Sequence, residues 1–316
     1  MKNNYKIEKS NYGEKPFPHI LKDNFLDTSL LNDINENWPE DDYFFDEIAG
    51  IRLLDLEYSV KTNKIFSISK IILKGDFNAL VNKKFLWGAK KKFWLNFFNT
   101  EIPKINESIY YCFQESLSAK FGTRSIPELA KVNLMQSNEN FNGHGIHNHH
   151  YHNPNWAFTM LLYIDDQGVN TQGTDIYSIS EKQNIKNVEE LTNFVLNNRI
   201  VANPEGLLNK KKTIEFKNNR LFAFLDTPIS FHGVTRGKVS DKILNKKQNR
   251  KIIRLHAGYN KSYVKKLYGF RVRKYLTLRS KFNGNKDSNS QNENLMNSEN
   301  LINKGIKKEL KDIFKI

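Results

Sequence analysis

The sequence predicts a mainly β fold with flanking helices, of the β-sandwich or jelly-roll class. Three observations carry that expectation. From Lys131 to Gly258 the apolar residues come in short runs of strand length, separated by turn-rich segments. One helix-like stretch, residues 187–197, interrupts them, which is not the regular alternation of a parallel α/β sheet. Upstream, over residues 76–121, the apolar spacing is helical instead.

A chain of 316 residues holds one large domain or two ordinary ones, and 39% apolar content suffices for a core. The single cysteine, Cys112, excludes an internal disulfide framework and any zinc site built on cysteine pairs. That suits a reducing compartment. With a polar stretch from Met1 to Pro18 and no apolar leader, the expected location is cytoplasmic. No run approaches the roughly 18 apolar residues of a membrane span. Arg236 to Lys286 carries 17 Lys/Arg against one acid, Asp241, so the net charge of +15 is a local feature of the last quarter. In a chain so rich in Lys and Asn the plain expectation is a solvated surface. An anionic partner at residues 236–286 (nucleic acid, a lipid surface or a phosphorylated substrate) is the alternative.

Residues 1–13 read as a polar lead-in to a domain spanning 14–260. Asp27 or Thr28 is expected to cap a helix through Leu31 and Ile34. Trp38-Pro39 stops it, because a residue before proline is pushed out of the helical region. Residues 40–75 are mixed and define no element. Over 76–121, Phe85, Phe93 and Phe97, then Ile105, Ile109, Phe113 and Leu117, recur at multiples of four, and Pro103 fits a first helical turn. These side chains are expected in the core, with Cys112 a small half-buried neighbour.

Strands are expected at Val132–Gln136, Trp156–Ile164, Thr174–Ile179, Thr213–Phe216, Arg220–Leu225 and Arg250–Gly258. Trp156–Ile164 is apolar on both faces and so deeply buried. Residues 261–300 form a basic segment and a polar low-complexity linker. Residues 301–316 form a short basic amphipathic helix, expected to dock back on the domain.

Five of the eight histidines fall within nine residues, His144 to His152, directly before the most apolar run. A dense group of imidazoles at the mouth of a buried strand is a metal-site pattern. A further one, His232, follows the strand Arg220–Leu225. On the last strand, a period of two places Arg250, Ile252, Arg254 and His256 on one face. If that face looks into a pocket, two arginines and a histidine point at the metal region.

Several segments resemble, in order and spacing, successive motifs of the 2-oxoglutarate- and Fe(II)-dependent oxygenase superfamily, in its prolyl-hydroxylase-like branch. They are Pro16-Phe17-Pro18-His19-Ile20, Leu162-Tyr163-Ile164, Gly173-Thr174-Asp175-Ile176-Tyr177, Asn219 to Phe224, and Ser230-Phe231-His232-Gly233-Val234. The resemblance covers residues 14–260. It implies a double-stranded β-helix over about 131–260, supported by helices from 76–121. It also implies a hydroxylase that consumes 2-oxoglutarate and O2 at Fe(II).

On the spacing of similar proteins, counting back from Tyr163 implies His150 as the first metal ligand, with His232 as the distal one. His152 stands where such proteins carry Asp or Glu, so the implied triad is all nitrogen. Arg250 and Tyr163 are the implied co-substrate contacts, and Arg254 a weaker contact to a substrate anion. Three alternatives follow. The site is an active all-histidine iron centre, or it belongs to an altered metal-binding relative. In the third, the register is shifted, His147 and His149 form the His-x-His pair, and Asp165 or Asp175 supplies a carboxylate. Outside that third case, His144, His147 and His149 are expected at the surface or behind the ligands, and His256 behind them too. A non-catalytic jelly-roll module, binding metal or using its basic C-terminal region on an anionic polymer, is the competing function.

Overall fold

Two antiparallel sheets form the body of the protein in the computed structural model. The structure describes residues 5–40, 44–46, 51–59, 64–66, 89–127, 129–137, 144–149, 156–164, 173–186, 188–198, 200–201, 204–234 and 250–259. The strands are β1 (Tyr12–Gly13), β2 (His19–Lys22), β3 (Phe45–Asp46), β4 (Ile51–Ser59), β5 (Lys64–Phe66), β6 (Leu129–Ser137) and β7 (His144–His147). They continue with β8 (Trp156–Ile164), β9 (Thr174–Ile179), β10 (Ile200–Val201), β11 (Leu208–Ile214), β12 (Arg220–Leu225), β13 (His232–Val234) and β14 (Lys251–Gly258).

The larger sheet runs β1-β2-β12-β8-β14-β6-β4-β3, with β5 beside β4, and the smaller runs β10-β7-β13-β9-β11. From β6 onward the chain steps between sheets. The pairs β6/β7, β8/β9, β11/β12 and β13/β14 each place one strand in either sheet. The two resulting four-strand orders, β12-β8-β14-β6 and β7-β13-β9-β11, are those of a double-stranded β-helix, the jelly roll expected from the strand pattern.

β8 lies at the centre, paired with β12 and β14 along its length. Its two faces serve two cores. Phe158, Met160, Leu162 and Ile164 join the helix-side core, whereas Tyr163 and Leu161 pack between the sheets with Phe222, Phe224 and Ile252. That is why the run carries no polar alternation.

In chain order the helices are α1 (Thr28–Glu36), α2 (Ala89–Asn96), α3 (Ile102–Phe121) and α4 (Val188–Asn197). Three of these four described helices, α1, α2 and α3, pack on the large sheet, whereas α4 sets Phe194 against Phe231 beside the smaller one. Asp27 caps α1 by accepting from the Leu30 N–H at 2.8 Å, and the helix ends before Trp38-Pro39. Pro103 sits in the first turn of α3. Gly122 closes that helix at φ 64°, with its N–H donating to Ser118. Ile105, Ile109, Phe113 and Leu117 are all buried, as their spacing requires, and Phe113 meets Phe158 at a ring separation of 6.0 Å. Between α2 and α3 a π-helical turn, Phe97–Glu101, shifts the phase, so that both Phe97 and Phe98 are buried. Lys120 is buried near the end of α3, its Nζ donating to the carbonyls of Trp156 at 3.0 Å and Asp226 at 2.5 Å.

Some boundaries move. Residues 40–75, read as undefined, contain β3, β4 and β5, and β4 pairs with β6 over its full length. β6 is longer than Val132–Gln136, and β11 begins before Thr213. Phe85 and the rest of 76–88, the basic segment from 261, the C-terminal helix at 301–316 and most of 236–286 lie outside the described residues. Among the described residues, no helix is long and apolar enough to cross a membrane.

Candidate metal centre

The second sheet delivers the histidines. β7 ends at His147 and β13 begins at His232, and the two are register partners across an antiparallel pair. Directly opposed residues in such a pair project to the same face. His149 follows two residues after His147. One ring nitrogen from each of His147, His149 and His232 lies within 4.8 Å of the other two. The ring centroids are 4.4 to 4.8 Å apart.

The tautomers follow from the surroundings. Nδ1 of His147 stands 2.8 Å from the Gly145 carbonyl, and Nδ1 of His232 stands 2.9 Å from the Ser230 carbonyl. A carbonyl only accepts, so both Nδ1 atoms carry the proton and both Nε2 atoms present a lone pair. Nε2 of His147 is 2.9 Å from Nε2 of His149. Two nitrogens bound at about 2.1 Å and a right angle to one ion stand about 3.0 Å apart, so this spacing suits neighbouring ligands as well as a hydrogen bond between the two rings. An acceptor behind each ligating imidazole is also what fixes ring orientation in metal sites.

The larger sheet supplies the opposite wall. The cluster opens into a pocket of about 630 Å³, mouth included, lined by Met135, Leu161, Thr174, Arg250, Ile252 and Arg254 among others. Arg250, Ile252 and Arg254 therefore share the inward face, as the period of two requires, with His256 further along it. Nε and Nη2 of Arg250 are buried, and the guanidinium carbon sits 5.0 Å from the Phe216 ring centroid and 5.9 Å from that of Tyr163. Burial lowers the Arg250 pKa, and neighbouring Tyr163 opposes that. The Tyr163 phenol is fully buried, 2.7 Å from Thr174 Oγ1, and burial pushes its pKa up. It stays a neutral hydroxyl. Arg254 Nε donates to Asn133 Oδ1 at 2.9 Å.

The structure brings together His147, His149 and His232, the shifted His-x-His register. His150 and His152, implied by counting back from Tyr163, lie outside the described residues, as does Asp165. His147 and His149, expected at the surface or behind the ligands outside the shifted register, lie together with His232. Asp175 is no neighbour of the cluster. It pairs with Gly233, one residue out of phase with His232, and so faces away from the pocket. There it accepts from Thr213 at 2.5 Å and pairs with Lys210 at 2.9 Å.

A second group lies behind His149: His256, expected there, together with Asp226 and Thr159, which were not singled out in the sequence. The signal was present. Asp226 extends the inward phase of Phe222 and Phe224, and Thr159 is the lone hydroxyl in the Trp156–Ile164 run apart from the Tyr163 phenol.

Fold and site together define a double-stranded β-helix protein with convergent imidazoles. Among solved structures, the chain is similar to a Pseudomonas putida prolyl-4-hydroxylase, at 9% identity over 77% of this chain and 92% of that one, with a TM-score of 0.39. It is similar to a 2OG-Fe(II) oxygenase family oxidoreductase from Burkholderia pseudomallei, at 10% identity over 76% and 84%, with a TM-score of 0.36. It is also similar to a Trichoplax adhaerens prolyl hydroxylase solved with a hypoxia inducible factor peptide fragment, at 13% identity over 78% and 86%, with a TM-score of 0.37. No family model matches the sequence, and no curated protein matches it.

Proposed function

We propose that the protein is a metal-dependent oxidoreductase and, within that class, an Fe(II)- and 2-oxoglutarate-dependent oxygenase acting as a hydroxylase. The ion would be held by His147, His149 and His232. One observation carries the reading: imidazole nitrogens converge at 2.9 Å in a pocket that also holds a buried arginine. A cation shared between the two lone pairs holds them at that distance, as a proton between them also would. Imidazole suits iron, copper, nickel and zinc alike, so the choice of iron rests on the rest of the pocket.

Arg250 supports a carboxylate-bearing co-substrate, because its planar fork matches a carboxylate and stays charged even where burial opposes it. Its place beside Tyr163 and Thr174 gives that carboxylate two further hydroxyl partners. Fe(II) with 2-oxoglutarate and O2 supplies the oxidising power, the organic co-substrate losing CO2 as it is oxidised. The chain's own residues do the rest. The imidazoles bind through Nε2, and the acceptors behind Nδ1 hold them in place. Met135, Leu161 and Ile252 keep the wall apolar and limit water.

The test is direct. Purified protein loaded with Fe(II) should convert 2-oxoglutarate to succinate without added substrate, and His232→Ala should lose both metal and turnover. Metal binding with no turnover of 2-oxoglutarate leaves a non-catalytic metal-binding module. Failure to bind any divalent ion refutes the site.

A further inference from the structure

We propose that Asp226, working through Thr159, positions His149 and is the carboxylate of this metal site, acting at one remove from the ion. The inference rests on the metal-binding reading above and adds a component to it. A set of three neutral imidazoles leaves a divalent ion with its charge uncompensated by its ligands. A neighbouring carboxylate then matters, and among the described residues Asp226 supplies one, its Oδ1 lying 3.6 Å from His149 Nδ1.

Asp226 is 1% exposed and continues β12 beyond its ladder, its N–H donating to the Ala157 carbonyl at 3.0 Å. Thr159 Oγ1 donates to Asp226 Oδ2 at 2.8 Å. The same oxygen lies 2.8 Å from His256 Nδ1 and 3.3 Å from His149 Nδ1. The protons can be assigned. A carboxylate only accepts, so the single hydroxyl proton of Thr159 goes to Asp226. The hydroxyl oxygen then accepts from both rings, so His149 and His256 each carry a proton on Nδ1. That leaves Nε2 of His149 as a lone pair facing His147, the same tautomer that the carbonyls impose on His147 and His232.

One buried atom remains unsatisfied. Asp226 Oδ1 meets no hydrogen-bond donor among the described residues. His149 Nδ1 stands 3.6 Å from it. A small pivot of the ring, shortening the 3.6 Å separation, lets the one Nδ1 proton of His149 be shared between Thr159 Oγ1 and Asp226 Oδ1. The resulting carboxylate–imidazole–ion relay raises the donor strength of His149. In other metal sites, loss of such a partner costs about 10- to 100-fold in affinity.

The alternative is that His149, Asp226 and His256 hold an ion of their own, since their ligand atoms also lie within 4.8 Å of one another. Thr159 speaks against it by already engaging all three.

The test uses the full chain, stripped of metal and titrated with Co(II), followed by calorimetry, metal analysis and the visible d–d spectrum, with circular dichroism confirming the fold. Wild type should bind one equivalent. Asp226→Asn should still bind one, about 10- to 100-fold more weakly and with altered d–d bands. Thr159→Val should weaken binding as well, and Thr159→Ser should restore it. Those two decide the matter if Asp226→Asn does not fold. Unchanged affinity and spectrum in the Asn and Val variants would overturn the proposal and leave the metal site standing. Two equivalents in wild type, one lost on Asp226→Asn, would overturn it in favour of a second ion. No Co(II) bound by wild type removes both the proposal and the reading it rests on.

Discussion

Replacing Tyr163 with Phe removes one oxygen from a fully buried position behind Thr174, which lines the pocket. Tyr163 is 0% exposed and its hydroxyl partner Thr174 is 1% exposed, so no water replaces the 2.7 Å bond between them. An ordinary hydrogen bond contributes about 0.5–1.5 kcal/mol net, but a buried group left without its partner costs about 1–3 kcal/mol. Enclosure puts this case in the upper range, at about 2 kcal/mol, read from urea unfolding at constant m-value. Thr174→Val in the same background removes the stranded hydroxyl. The double variant should therefore be about 1 kcal/mol more stable than the sum of the two single losses. A second readout is independent of folding. If the phenol also donates to the co-substrate carboxylate, its loss weakens 2-oxoglutarate binding to the Co(II)-loaded protein by about 10- to 100-fold, the equivalent of one hydrogen bond to a charged group. Unchanged stability and unchanged affinity together would refute the placement of Tyr163 as a shared partner of Thr174 and the ligand.

Gly173→Ala should unfold the domain at lower temperature, because an added Cβ would lie 1.8 Å from the Ile214 carbonyl where β9 pairs with β11. The expected loss is about 3 kcal/mol, the top of the overpacking range, and a melting curve matching wild type would sink the reasoning. Phe158→Ala should cost about 3–5 kcal/mol by opening a cavity beneath Phe113, measured by chemical denaturation; a loss below about 1 kcal/mol would mean that α3 does not depend on this contact. Asp23 is held down to about 2 by its hydrogen bond from Arg220, with Lys217 assisting. A lowered carboxylate pKa gives stability that is complete above about 4 and lost as pH falls through about 2. With the side chain 36% exposed, that stability is of the order of 1 kcal/mol. Asp23→Asn should flatten the acid limb of stability over that window, and superimposable acid limbs would contradict it.

How much of this was legible in the residues depended on which physical rule decided each part. Period two on the last strand put Arg250, Ile252 and Arg254 on one face, and they line one pocket, because a strand between two others has no freedom to twist its side chains elsewhere. His232 was legible from its place after an apolar strand. The His147–His149 pair was legible only as one of three alternatives. Counting back from Tyr163 assumes a fixed loop length between β7 and β8, and loops tolerate insertion where strands do not. β11 was misplaced for a different reason. Its middle, Asn209 to Thr213, is exposed throughout and interrupted by a bulge between Lys210 and Lys212, so no alternation marks it. It is an edge strand, where lysines discourage pairing with other chains. Asp226 escaped notice because it follows the last strand residue rather than belonging to it, although its phase is that of Phe222 and Phe224.

The buried amine of Lys120 reaches the carbonyls of Trp156 and Asp226, the first residue of one site-bearing strand and the residue just past another. Only a long side chain with several protons can span both. The helix that bears it is therefore a mounting bracket for the rear of the histidine cluster as well as a lid on the core. An engineer transplanting this cluster into another jelly roll would have to carry α3 along with it, or supply another cation at the same spot.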